Sequence, residues 1–136
     1  MTLVVDASLV AAALVDSGPA GTWALELLNR EPLVAPHLMP VEVANILRRA
    51  ALAGEISHDS AGLAHRDLQD LAVEPFPYSP FAERVWELRT NLTAYDAWYV
   101  ALAEMLDAEL ATLDVRLSQA PGPRCRFMVP AAQGEE

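Results

Sequence analysis

The sequence predicts an α/β fold with a mostly parallel central sheet of four to five short strands flanked by helices. Short apolar segments alternate with longer segments whose apolar residues recur every three or four positions, the spacing of a helix that packs on one face. The connections between them are short, which favours parallel strands joined by helices. Hydrophobic residues make up 53% of the 136 residues, a share that suits helices covering a buried parallel sheet.

The predicted strands are short and apolar, and turn-forming residues separate them from the helices. They cover residues 3–5, 33–35, 73–76, 109–112 and, as a final strand, 124–129. The third contains Pro75, which removes one backbone donor, so we expect it at the edge of the sheet.

The predicted helices are bounded by residues that commonly begin or end helices. They cover about 8–16, 20–30, 40–53, 58–71, 79–89 and 94–106, with a short helix after 114. Pro40 suits a first helical position, Gly54 a helix end, and Ser57 and Thr93 the residue that caps a helix start.

The length fits one domain, which we place at 1–130 with a frayed tail at 131–136. No apolar run reaches the ~18 residues that cross a bilayer, and the first residues lack the basic segment of a signal peptide. We therefore expect a cytoplasmic protein with no membrane partner. Cys125 is the only cysteine, so an intrachain disulfide and a cysteine zinc site are both excluded.

The charge balance is strongly acidic. Nineteen Asp and Glu residues face nine basic residues, all of them arginine, for a formal net charge of −10. Nucleic-acid-binding proteins usually carry a basic surface, so a function on nucleic acid requires something that offsets this charge.

Two acids occupy the position where α/β proteins build their sites. Asp6 and Asp114 each follow a predicted strand, and sites in open sheets form beyond the carboxyl ends of the strands. Clustered carboxylates raise one another's pKa, so several at one sheet edge indicate a hard cation such as Mg²⁺ or Mn²⁺.

Two further acids, Glu42 and Asp96, fall at the third position of predicted helices. Acids in a first turn also complement the helix dipole and bind free N–H groups, so their local pattern alone favours a structural role. Asp114 equally suits the cap of the short helix after it. For the first helix, Ser8 is an alternative cap to Asp6.

Taken together, these acids lie in four motifs that appear in order along the chain. The motifs are Val-Val-Asp-Ala-Ser at 4–8, Pro-Val-Glu-Val-Ala-Asn-Ile-Leu at 40–47, Tyr-Asp-Ala-Trp-Tyr-Val-Ala-Leu-Ala-Glu at 95–104 and Thr-Leu-Asp-Val-Arg-Leu at 112–117. With them the sequence resembles the PIN domain family, in particular its VapC-type toxins, over about residues 3–129. The resemblance implies a three-layer PIN-like fold.

The resemblance also implies an activity, cleavage of RNA by an endoribonuclease that depends on Mg²⁺ or Mn²⁺. It makes Asp6, Glu42, Asp96 and Asp114 the catalytic and metal-binding residues. The residues in supporting roles are Ser8, Asn45 and Thr112, to which we add Arg116 as the best placed of four candidate phosphate contacts, Arg48, Arg49, Arg89 and Arg116. The implied partners are an RNA substrate, a VapB-like antitoxin and a second copy of the chain.

Two other readings remain open. Receiver domains and haloacid-dehalogenase-like phosphatases also place acids at strand ends and bind Mg²⁺, but they normally hold the phosphoryl group with a lysine, and this chain has none. A catalytically weak PIN-fold protein that serves as an RNA-binding module or scaffold is the second alternative.

Overall fold

The computed structural model describes residues 1–30 and 32–131. Within them lies a sheet of five strands, all parallel, in the order β3-β2-β1-β4-β5. The strands are β1 Leu3–Val5, β2 Leu33–Pro36, β3 Val73–Phe76, β4 Glu109–Ala111 and β5 Phe127–Met128. The predicted class is confirmed, and the proline-containing strand β3 lies at an edge as expected.

The helices agree with the predicted ones to within a few residues. They are α1 Ala7–Val15, α2 Pro19–Arg30, α3 Met39–Leu52, α4 His58–Asp70, α5 Ala82–Glu87, α6 Ala94–Leu106 and α7 Val115–Gln119. The segment predicted as one helix at 79–89 instead begins with a 3₁₀ turn, Ser79–Phe81, and α5 ends at Glu87. Gly54 follows the end of α3 with φ at 77°, a left-handed conformation that glycine adopts readily.

The core lies between the sheet and two groups of helices. α6 packs on β1, β2 and β4 and also contacts α5, whereas α1 contacts α2, α3 and α4. Every residue of α6 from Ala97 to Ala103 is buried, which is the pattern of a helix enclosed on all sides. No helix in the described ranges combines the length and the apolar character needed to cross a membrane. Of the predicted frayed tail, 132–136 lie outside the described residues.

The strand order reverses direction beside β1. The chain adds β2 and then β3 on one side of β1, and it later places β4 and β5 on the other. Val5 and Ala111 are paired in register, so the residues that follow them emerge side by side. A crevice forms at such a switch point beyond the carboxyl ends of the strands, and ligands of open α/β sheets bind there.

Candidate active site

Asp6 leaves β1 and caps α1. Its Oδ1 accepts hydrogen bonds from the Leu9 N–H at 3.0 Å and from the Ser8 hydroxyl at 2.7 Å. The cap therefore belongs to Asp6, while Ser8, the alternative cap, holds the Asp6 carboxylate instead. Asp6 is one of two buried polar side chains among the described residues, with 7% of its surface exposed.

The other buried polar side chain, Thr112, links Asp6 to Asp114. The Thr112 hydroxyl donates to Oδ2 of Asp6 and accepts from the Asp114 N–H at 2.9 Å. Asp114 in turn caps α7 by accepting from the N–H groups of Arg116 and Leu117 at 3.0 and 3.2 Å. The capping role considered for Asp114 is thus correct, and it fixes this acid beside the switch point.

Glu42 and Asp96 lie in the first turns of α3 and α6, as expected. α3 begins at Met39, one residue before the predicted start, so Glu42 is its fourth residue and its N–H bonds to the Leu38 carbonyl at 3.0 Å. Asp96 is the third residue of α6, and Thr93 caps the helix by accepting from the Asp96 N–H at 3.1 Å.

All four acids line one open cavity of about 690 Å³ at the switch point, and Ser8 and Asn45 line it with them. Asn45 lies one helical turn after Glu42 on the same face of α3. Thr112 is fully buried behind the Asp6 carboxylate. Arg116 is exposed and lies outside the cavity wall, where its contribution to the site is its backbone bond to Asp114.

The acids are close enough to affect one another's charge. Burial raises the pKa of Asp6, and the charge of Asp96 raises it further, although hydrogen bonds from Thr112, Leu9 and Ser8 oppose the shift. Burial also raises the pKa of Glu42, and the charges of Asp96 and Asp6 raise it further. The pKa of Asp96 is raised by burial and by the charge of Asp114. The cavity therefore favours a bound cation or proton.

Sequence reasoning missed one polar side chain in the cavity wall, Tyr99, and ranked another, Arg49, below Arg116 as a phosphate contact. The Tyr99 hydroxyl donates to Oε1 of Glu42 at 2.7 Å. Tyr99 lies three residues after Asp96, so helical spacing from that acid was a signal for it. Arg49 is the only basic side chain among the described residues that line the cavity, and it lies seven residues after Glu42 on the same stripe of α3.

The donor set consists of carboxylate, hydroxyl and amide oxygens, which suits a hard divalent cation rather than zinc or copper. The raised pKa values of three of the acids fit the same ligand. Within the described ranges, however, no three His, Cys, Asp or Glu side chains are gathered into a group that could hold a metal ion. The acids therefore fit a divalent cation by the chemistry of their donor atoms and by their location in one cavity.

Comparison with known proteins gives a consistent picture. The PIN domain model matches residues 3–123. The chain is 46% identical to Ribonuclease VapC1 of Mycobacterium tuberculosis over 125 residues, which are 91% of this chain and 94% of that protein.

Two solved structures share the fold. PAE2754 from Pyrobaculum aerophilum has a TM-score of 0.71 at 23% identity, covering 93% of this chain and 83% of that one. VapBC2 from Rickettsia felis, solved with a DNA fragment from its promoter, has a TM-score of 0.64 at 12% identity, covering 95% and 98%. The fold, the family match and the curated relative agree, and the chain belongs to the PIN domain family.

Proposed function

We propose that this chain is a divalent-metal-dependent endoribonuclease and the toxin of a VapBC-type toxin–antitoxin pair. The observation that carries the proposal is the meeting of four acids from separate parts of the chain in one cavity at the switch point. The relative named as a VapC ribonuclease supports the same activity. A phosphotransfer role has less support, because the chain has no lysine to hold a phosphoryl group.

In this proposal Asp6, Glu42, Asp96 and Asp114 hold the ion, Mg²⁺ or Mn²⁺. When bound, such an ion polarises a phosphoryl oxygen and makes water more acidic. Ser8 and Thr112 fix the Asp6 carboxylate by donating to its two oxygens.

The remaining polar groups position the acids and the substrate. Tyr99 fixes the Glu42 carboxylate by donating a hydrogen bond to its Oε1. A carboxylate of the four that does not bind the ion directly can accept a proton from water. Asn45 offers an amide, and Arg49 a guanidinium, to phosphate oxygens of an RNA strand in the cavity.

The test is cleavage of a broad RNA panel by purified protein freed of any antitoxin. We expect cleavage with Mg²⁺ or Mn²⁺ and none with EDTA. Asp6→Asn should lower the rate more than about 100-fold, beyond the loss typical of a residue that only supports a metal ligand. Asp67→Asn, which removes an equal charge from the exposed face of α4, should leave the rate unchanged. A folded wild type that leaves every RNA intact contradicts the proposal and favours the RNA-binding or scaffold alternative.

The partners belong to the same proposal: an RNA substrate, a VapB-like antitoxin and a second copy of the chain. Exposed apolar side chains on α3 and α4, namely Val41, Leu52 and Leu63, support an interface on these helices. Sedimentation of the purified chain tests the dimer, and co-purification with the product of the adjacent gene tests the antitoxin.

A further inference from the structure

A second, smaller pocket adjoins the acidic cavity. It has a volume of about 270 Å³ and a nearly wholly apolar wall made by Leu38, Tyr78, Ala94, Tyr95 and Trp98. We call it the aromatic pocket. Leu38 and Tyr95 also line the acidic cavity, so the two spaces share a wall.

The first turns of α6 separate the two spaces. Asp96 and Tyr99, three residues apart, line the acidic cavity, whereas Tyr95 and Trp98, also three residues apart, line the aromatic pocket. A strand of RNA whose phosphate reaches Asp96 therefore has an aromatic surface within one helical turn of that phosphate.

The aromatic rings are accessible on one side and fixed on the other. Tyr78 and Tyr95 are 41% and 57% exposed. Tyr78 packs edge-on against Trp98, with 5.3 Å between the ring centroids, and Trp98 is itself buried. Single-stranded RNA is commonly bound by stacking its bases on such rings.

The size of the pocket and its position beside the acidic cavity indicate what occupies it. Its volume lies just below the range of ~300–1,000 Å³ typical of sites for drug-sized ligands, which suits one ring system better than a helix. The pocket also shares Leu38 and Tyr95 with the acidic cavity, so a base in it would belong to the same RNA strand as a phosphate in that cavity.

We propose that the aromatic pocket binds one base of the RNA substrate next to the phosphate held at the acidic cavity. The proposal rests on the proposed function and adds a specificity element to it. The acids act on a phosphate that every nucleotide carries, whereas the pocket selects a position in the RNA where a base is unpaired and able to turn outward. Stacking discriminates weakly among base types, so we expect selection mainly for accessible, single-stranded positions.

The test measures binding separately from cleavage. The inert variant Asp96→Asn is titrated with short single-stranded RNAs, each carrying the fluorescent base 2-aminopurine at a different position. Fluorescence quenching at one position is expected. The quenching should be lost when Tyr78→Leu or Tyr95→Leu is added to the Asp96→Asn chain, and the RNA should bind at least about tenfold more weakly. Trp86→Leu, which removes an exposed aromatic ring outside both spaces, is the matched control and should retain the quenching.

Four outcomes overturn the assignment. One is RNA binding without quenching at any position, and another is quenching that survives both tyrosine substitutions in folded protein. The third is loss of self-association in the tyrosine variants with quenching intact, which assigns the pocket to a second copy of the chain. Failure of the proposed function is seen in a different measurement, the cleavage assay, in which the wild-type protein would leave RNA uncut in Mg²⁺ and Mn²⁺. If the inert variant binds no RNA at all, the base subsite is rejected too.

Discussion

Asp6 combines a structural and a chemical role in one side chain. It caps α1 through the Leu9 N–H, and it brings a buried charge to the cavity. Replacing it disturbs a helix start as well as the acid cluster, so loss of activity in Asp6→Asn needs a folding control. Asp96 is the cleaner probe, because its backbone N–H makes the cap contact with Thr93 and survives replacement of the side chain.

Asp96→Asn is predicted to stabilise the metal-free protein while it stops cleavage. Burial and the charge of Asp114 raise the pKa of Asp96, so the folded state disfavours its ionised form. Removing that charge should raise the free energy of unfolding by about 0.5–1 kcal/mol, after allowance for solvent screening. Urea unfolding in EDTA measures this change. Asp67→Asn, at an exposed site on α4, should change stability by less than about 0.5 kcal/mol.

This stabilisation should depend on pH with a definite sign. Between the unfolded pKa of Asp96, about 4, and its raised folded pKa, the folded state binds more protons than the unfolded state. The wild type therefore recovers stability as the pH falls through the folded value. The advantage of Asp96→Asn should be fully present at neutral pH and vanish in acid. If Asp96→Asn is still more stable than the wild type at a pH below the unfolded pKa, the gain in stability comes from packing and not from the removed charge.

Arg49 is predicted to contact an RNA phosphate. It lines the acidic cavity, whereas Arg116, which sequence reasoning favoured, lies outside it. Arg49→Gln should weaken RNA binding by the inert Asp96→Asn chain and lower the slope of log affinity against log salt by about one. Arg116→Gln is the matched control and should keep the slope. If the Arg49→Gln variant keeps the salt slope of the parent Asp96→Asn chain, Arg49 does not contact the RNA phosphates.

At the scale of elements, α3 and α6 decide which residues meet. Sequence reasoning placed Glu42 and Asp96 at helix starts, because Pro40 and Thr93 mark those starts. It left out Tyr99 and did not rank Arg49 first among the four arginines, because which side chains line the cavity depends on how the two helices are rotated over the sheet edge. That rotation is set by packing of buried residues across the whole helix, which no local motif encodes.

The Arg84–Glu104 ion pair joins α5, α6 and the segment before β5, and we predict that it stabilises the fold. Arg84 binds both carboxylate oxygens of Glu104 at 2.8 and 3.1 Å, and it also donates to the Gly122 carbonyl at 3.0 Å. Arg84→Met removes two charge-assisted hydrogen bonds from the partly buried Glu104 carboxylate, which keeps the bond from the Arg124 N–H, and should lower the free energy of unfolding by about 1–3 kcal/mol. Thermal unfolding measures the loss, and Arg66→Met, on the exposed face of α4, should cost less than about 0.5 kcal/mol.

The pH dependence of this pair is opposite to that of the acidic cavity. Burial raises the pKa of Glu104, but bonds from Arg84 and the Arg124 N–H outweigh it, so the pKa is lowered overall. The stabilisation is thus present above the unfolded pKa of Glu104 and lost as the pH falls through the folded value. The difference between wild type and Arg84→Met should shrink in acid. A constant difference would show that the lost contact is apolar.

At the scale of the whole molecule, metal binding is predicted to stabilise the fold by mass action. The four acids are far apart in sequence and line one cavity only in the folded state, so an ion held by them would bind the folded form selectively. At about 100 times its Kd the ion should add about 2.7 kcal/mol, seen as a higher Tm with Mg²⁺ or Mn²⁺. Asp114→Asn should reduce the shift, and Asp67→Asn should keep it. Equal shifts in both variants would place the ion elsewhere.

The architecture was more predictable than the site. Strand 3–5 and its neighbours are short, apolar and separated by helices, and that alternation permits few arrangements other than a parallel sheet. The aromatic pocket had no such signal, because Leu38 and Tyr78 are 40 positions apart in sequence and meet only after β2 and β3 have paired.

The position of Asp114 near the end of the chain affects how the protein is made. A ribosome synthesises residues 1–113 before the last acid exists, and β4, which positions that acid, is itself one of the last elements completed. A growing chain therefore cannot assemble the complete acidic cavity until residue 114 has been added. A truncated message that ends before the codon for Asp114 encodes a fragment without one wall of the acidic cavity, and under the proposed function we expect such a fragment not to cleave RNA.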